Sequence, residues 1–158
     1  MKISFRKGIG FGLTSGIITT LGLIVGLNSS THSTKVIIGG ILVIAIADSL
    51  SDALGIHISE EAENKNVSRE IWESTITTFF SKFLMALSFI IPILLLPLNV
   101  AIIVSTAWGI FMISLVSYLI SKQSKKGAAV IILEHLSIAI AVIIFTYLVG
   151  GLIEKYFN

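Results

Sequence analysis

Val36–Ile58 reads "VIIGGILVIAIADSLSDALGIHI". The stretch is close to the ~20 residues that cross a ~30 Å hydrocarbon core as a helix. It does not alternate apolar and polar residues, so a membrane β-strand is excluded. Its upper half is oil. Its lower half carries Asp48 and Asp52, with no lysine or arginine next to them in sequence. These residues set the fold and raise the functional question together.

Similar apolar blocks recur along the chain. Spanning helices are expected over about 8–27, 36–58, 79–97, 100–121 and 128–152, making one all-α integral membrane domain of five helices over 1–158. Only 13% of the 158 residues are charged and the mean hydropathy is +0.97; soluble domains carry about 25% charged residues. The third and fourth segments are separated by Pro97–Asn99, "PLN", which predicts a tight hairpin. The first follows Lys2, Arg6 and Lys7 but is longer than a signal peptide's apolar region and lacks a small-residue cleavage site, so it reads as a retained helix. There is no cysteine, which removes disulfides and thiolate metal sites.

The placement of lysine and arginine orients the helices. Nine of these residues (Lys2, Arg6, Lys7, Lys65, Arg69, Lys82, Lys122, Lys125 and Lys126) fall on one side, and Lys35 and Lys155 on the other. The positive-inside rule predicts a multi-pass cell-membrane protein with a cytoplasmic N-terminus and an extracytoplasmic C-terminus. Residues 59–78 then form a short acidic cytoplasmic segment, into which the second helix is expected to continue. Lys82, near the start of the third segment, is expected to snorkel to the cytoplasmic headgroups.

Asp48 and Asp52 stand at i and i+4, on one helix face. An aspartate at a helix centre in the bilayer costs about 2.5–3.5 kcal/mol, and such residues mark ion or proton paths. Paired carboxylates suit hard divalent cations and also protons, which compete with a metal for the same oxygens. The plainer reading is that both reach headgroup water. Glu60/Glu63 and Glu70/Glu73 form two E-x-x-E pairs suited to collecting cations at the mouth of a path, or to a solvated charged face. Gly12 and Gly16, with Gly8 before them, give the first helix a small-xxx-small seam; it serves either a homodimer interface or another helix of the same chain. Glu134 and His135 read as interfacial, and His57 has no His or Cys near it. No nucleophile–base pair, phosphate loop or nucleic-acid patch is visible, so neither an enzyme nor a nucleic-acid binder is expected.

"GLTSGIITTLGLIVGL" in the first helix and "ADSLSDALGIHISEEAE" in the second resemble the vacuolar iron transporter family. The textures of "ALSFIIPILLLPL" and "FTYLVGGLIE" fit the later helices. The resemblance implies a homodimer of five-helix protomers with the path at the two-fold axis. It also implies export of divalent iron or manganese from the cytosol, with proton exchange in some members and no permanently bound cofactor. The family's helix-one aspartate falls on Ser15, its metal-contacting methionine on Asp52 and a further glutamate on Ile44; Asp48 falls where the family has a small residue. The expected metal ligands are therefore Asp48 and Asp52, with Ser15 a weak third. The alternatives are a membrane scaffold or accessory protein, and a transporter or channel for protons or another ion.

Overall fold

The computed structural model describes residues 3–63, 67–122 and 124–157. The described residues form six helices: α1 (Ile3–Thr31), α2 (Thr34–Ala62), α3 (Ser68–Ser88), α4 (Ile90–Leu95), α5 (Leu98–Ser121) and α6 (Ala128–Phe157). With α3 and α4 taken as one broken span, Ser68–Leu95, five helices are long and apolar enough to cross a membrane. This is the architecture of a multi-pass membrane protein, and the five spans follow the expected number and order, the third starting at Ser68 and not at Phe79.

The third span breaks because of Pro92. In an unbroken helix the amide of residue 92 would bond to the carbonyl of Ser88, but proline has no N–H and its ring presses on that carbonyl. The helix tightens instead, with Phe89 N–H donating to the carbonyl of Ala86. The Phe89 backbone stays right-handed (φ −73°, ψ −16°), so the break is a kink. The expected "PLN" hairpin is present: Leu96 ends α4 in extended conformation and Pro97 precedes the first turn of α5.

Between α1 and α2 the chain turns in two residues. His32 adopts a positive φ of 49°, and Ser33 caps α2 by accepting the Val36 N–H. This cap satisfies a donor that the helix start would otherwise leave unpaired.

Helix α1 is the axis of the bundle and packs on α2, α3, α5 and α6. Its Ile17, Leu21 and Ile24 meet Ile37 and Ile41 of α2, Met85 of α3 and Ile113 of α5 in the core. Large apolar residues elsewhere face outward on every span, for example Leu50 and Leu54 on α2 and Phe145 on α6. Apolar residues on both the inside and the outside are what a lipid solvent requires.

Within the acidic segment 59–78, residues 59–62 extend α2 as expected and 68–78 belong to α3; Lys65 lies outside the described residues. The small-residue seam of α1 is already filled by the chain's own α3. A Cβ at Gly12 would fall 2.6 Å from the Thr78 carbonyl oxygen and would strike Ser81 Oγ, and one at Gly16 would meet Lys82 backbone atoms at 3.2–3.3 Å. Gly12 and Gly16 are therefore intrachain contacts and not a free dimer seam.

Candidate functional site

That close approach of α1 and α3 builds the site. With only hydrogen at position 16, the backbone of Lys82 lies against α1, and its side chain reaches between α1 and α2. Helix α2 presents Asp48 and Asp52 one turn apart, about 6 Å along its axis. Lys82 Nζ sits 2.6 Å from Asp48 Oδ2 and 2.6 Å from Asp52 Oδ2. It also donates to Ser15 Oγ at 2.9 Å, and the Ser15 hydroxyl donates to Asp52 Oδ2 at 2.6 Å. Three helices thus converge on one ammonium.

Exposure separates the members of this cluster. The Lys82 side chain is 1% exposed, Asp48 31% and Asp52 21%. The lysine is sealed inside, while each carboxylate stays partly exposed. The formal charge of the cluster is one negative unit.

The snorkelling expected of Lys82 is therefore overturned. Its assignment to the headgroups followed from starting the third helix at Phe79. The helix begins at Ser68, which puts Lys82 about 21 Å from its start. The sequence did hold a signal: two carboxylates in oil demand a positive partner, and Lys82 is a lysine set among the apolar residues of a span.

A second polar layer lies further along α2. Lys7 of α1 meets Glu60 Oε1 at 2.6 Å and Glu63 Oε1 at 3.9 Å. Glu60 is nearly sealed, at 3% exposure. Also on α1, the Ser4 hydroxyl donates to Glu73 Oε2 of α3 at 2.9 Å. Glu70 stands exposed in the first turn of α3, where a carboxylate complements the helix dipole. Glu60 and Glu63 are thus brought together by Lys7, Glu73 turns towards α1, and Glu70 does not join them. Among the described residues no group of three or more His, Asp or Glu side chains is arranged to hold a metal ion.

Two of the three histidines, His57 and His135, join α2 to α3 and α5 to α6. His57 Nδ1 lies 2.9 Å from Thr75 Oγ1, and its ring meets Trp72 edge-on at 4.8 Å between centroids. The Thr75 hydroxyl donates to the Ile71 carbonyl, and His57 Nε2 lies 3.5 Å from Glu61 Oε1. His135 Nδ1 lies 2.7 Å from Ser117 Oγ, and Glu134 pairs with Lys126 at 2.9 Å. Both of these last pairs are built by elements other than α1, α2 and α3.

No family model, curated protein or solved structure matches the chain. The functional reading therefore rests on the residues and their geometry.

Proposed function

We propose that this protein is a membrane transporter of divalent metal cations, of the iron or manganese class. In this reading the Asp48 and Asp52 carboxylates are the cation seat, and Lys82 is the built-in positive charge that an entering cation displaces. The observation that carries it is the position of Lys82 Nζ, 2.6 Å from both carboxylates and 2.9 Å from Ser15 Oγ. Oxygen atoms from two helices already converge on one cationic centre inside the bundle. A donor set of carboxylates and a hydroxyl favours hard divalent ions.

Further features support a path along α1 and α2. Thr20 and Ser49 add buried hydroxyl oxygens on these helices, and neither has a hydrogen-bond partner among the described residues. The partial exposure of Asp48 and Asp52 leaves their oxygens accessible from outside the bundle. The Lys7–Glu60 layer stands about 12 Å further along α2, at the end of the bundle that gathers Arg6, Lys7, Arg69 and Lys122. That end is proposed to be cytoplasmic, with Glu60, Glu63, Glu70 and Glu73 around the mouth. The resemblance to vacuolar iron transporters suggests export from the cytosol in exchange for protons. A proton on each carboxylate neutralises the same two charges as the metal, which makes exchange the natural coupling. A homodimer also remains part of the proposal, with its contact away from Gly12 and Gly16.

One observation favours a second reading. The carboxylates are already paired inside the chain, so the cluster serves equally well as an ionic lock that joins α1, α2 and α3 in a scaffold protein. Uptake of Mn²⁺ and Fe²⁺ into proteoliposomes, with a pH indicator inside, separates the two readings. The transporter reading expects uptake by the wild type and a drop of about tenfold or more in Asp52→Asn, in line with the ~1.5–3 kcal/mol typical of a charge-assisted contact. A folded wild type that moves neither metal sinks the metal-transport proposal. If protons alone move, the path belongs to another ion; if nothing moves, the cluster is a lock.

A further inference from the structure

At the same end of the bundle, on the other side of α1, an open crevice of ≈ 600 Å³ lies between the first turns of α1 and the last turn of α5. Its walls are Ile3, Arg6, Lys7, Gly10, Phe11 and Ile120. Lys7 turns its ammonium to Glu60 and Glu63. Arg6, beside it, enters no ion pair or hydrogen bond among the described residues, so its guanidinium is the uncommitted charge of the crevice. The apolar walls are open: Ile3, Phe11 and Ile120 are all exposed. Lys122, just beyond Ile120 in the chain, holds a second cation at this end of α5, with Nζ 4.9 Å from the centre of the Tyr118 ring.

We infer that this crevice binds an anionic glycerophospholipid of the surrounding leaflet, its phosphate on Arg6 and an acyl chain along Phe11 and Ile120. A guanidinium presents a planar fork that matches two phosphate oxygens. Basic pockets between spanning helices at the end facing an anionic leaflet recognise lipid headgroups by this chemistry. The apolar walls decide between a lipid and a free phosphate. A small hydrated anion gains nothing from Phe11 and Ile120, whereas an acyl chain descending from a headgroup at the helix ends would run along them. The open side of the crevice faces outward from the bundle, where lipid is the neighbour. Bound lipid would brace α1 against α5, the contact at which Gly10 approaches Ile120. None of this depends on the reading of Asp48, Asp52 and Lys82.

The test is lipid retention by the purified full chain, measured by native mass spectrometry after exchange into detergent with equal amounts of phosphatidylglycerol and phosphatidylcholine. The wild type is expected to retain phosphatidylglycerol preferentially. Arg6→Gln should reduce that preference roughly fivefold, the effect of removing one basic residue near an anionic headgroup. Phe11→Ser should lower retention of phosphatidylglycerol while leaving Arg6 in place, and Lys35→Gln at the opposite end should change nothing. Equal retention of the two lipids by the wild type overturns the proposal, as does an unaltered preference in Arg6→Gln. Displacement of phosphatidylglycerol by millimolar inorganic phosphate, with Phe11→Ser behaving as wild type, would overturn it in favour of a simple anion site.

Discussion

Lys82 carries two obligations at once: it neutralises Asp48 and Asp52, and it donates to Ser15. Removing one partner of a buried ion pair leaves charge without compensation, at a cost of about 3–5 kcal/mol. Lys82→Met is therefore expected to destabilise the protein by about that amount, measured by reversible unfolding in mixed micelles. Adding Asp48→Asn and Asp52→Asn to Lys82→Met should recover most of the loss, because no charge is then left inside. If Lys82→Met alone is neutral, the cluster does not hold the helices together. The same residues set a pH expectation for the proposed activity. Protons compete with a metal for the Asp48 and Asp52 oxygens, so apparent metal affinity should fall as pH is lowered. Titrating Mn²⁺ against wild type and Asp52→Asn across pH checks this; equal and pH-independent binding by both would remove the aspartates from the seat.

Among the elements, α1 and α3 approach closely, and the glycines between them are not interchangeable with Gly39 and Gly55 of α2. A methyl group at Gly12 would press on the Thr78 carbonyl and Ser81. Backbone cannot give way as a flexible side-chain tip can, so Gly12→Ala should cost about 1–3 kcal/mol. At Gly39 and Gly55 an added Cβ meets nothing within 4 Å, and alanine is the better helix former in water. Gly39→Ala and Gly55→Ala should therefore leave stability unchanged or slightly raised. Unfolding curves for the three variants make the comparison, and equal behaviour would contradict the packing. Pro92 shows the same local control: one missing amide turns an expected single helix into α3 and α4.

At the scale of the molecule, the central place of α1 changes what a mutation in it means. Gly16 lies against Lys82, so Gly16→Leu should disrupt the fold of each chain and the ionic cluster, lowering thermal stability at every protein concentration. A variant that kept monomer stability and only shifted a monomer–dimer equilibrium would return the seam to α1. Topology is the second test at this scale. Moving Lys82 into the interior takes one charge from the basic side, but the asymmetry against Lys35 and Lys155 survives. A reporter fused after Asn158 is still expected on the extracytoplasmic face, and a cytoplasmic signal there would reverse the proposed orientation.

The number and order of the spans, the "PLN" hairpin and the extension of α2 were legible in the chain, because lipid imposes a length and a polarity that each segment must meet alone. The shared face of Asp48 and Asp52 was legible for the same reason, since helical spacing is a local property. Which residues answered them was not. Lys82 is 30 residues from Asp52 in sequence, and it reaches the carboxylates only because α3 starts earlier than its apolar block does and because Gly12 and Gly16 let α3 close onto α1. The same packing decided that the glycine seam faces inward and that Glu60 and Glu63 share Lys7 while Glu70 stands apart. Sequence thus determined the number and order of the apolar spans and that two carboxylates share a face of one of them. Only the tertiary structure supplied their cationic partner, because the identity of a long-range partner depends on which helix faces meet.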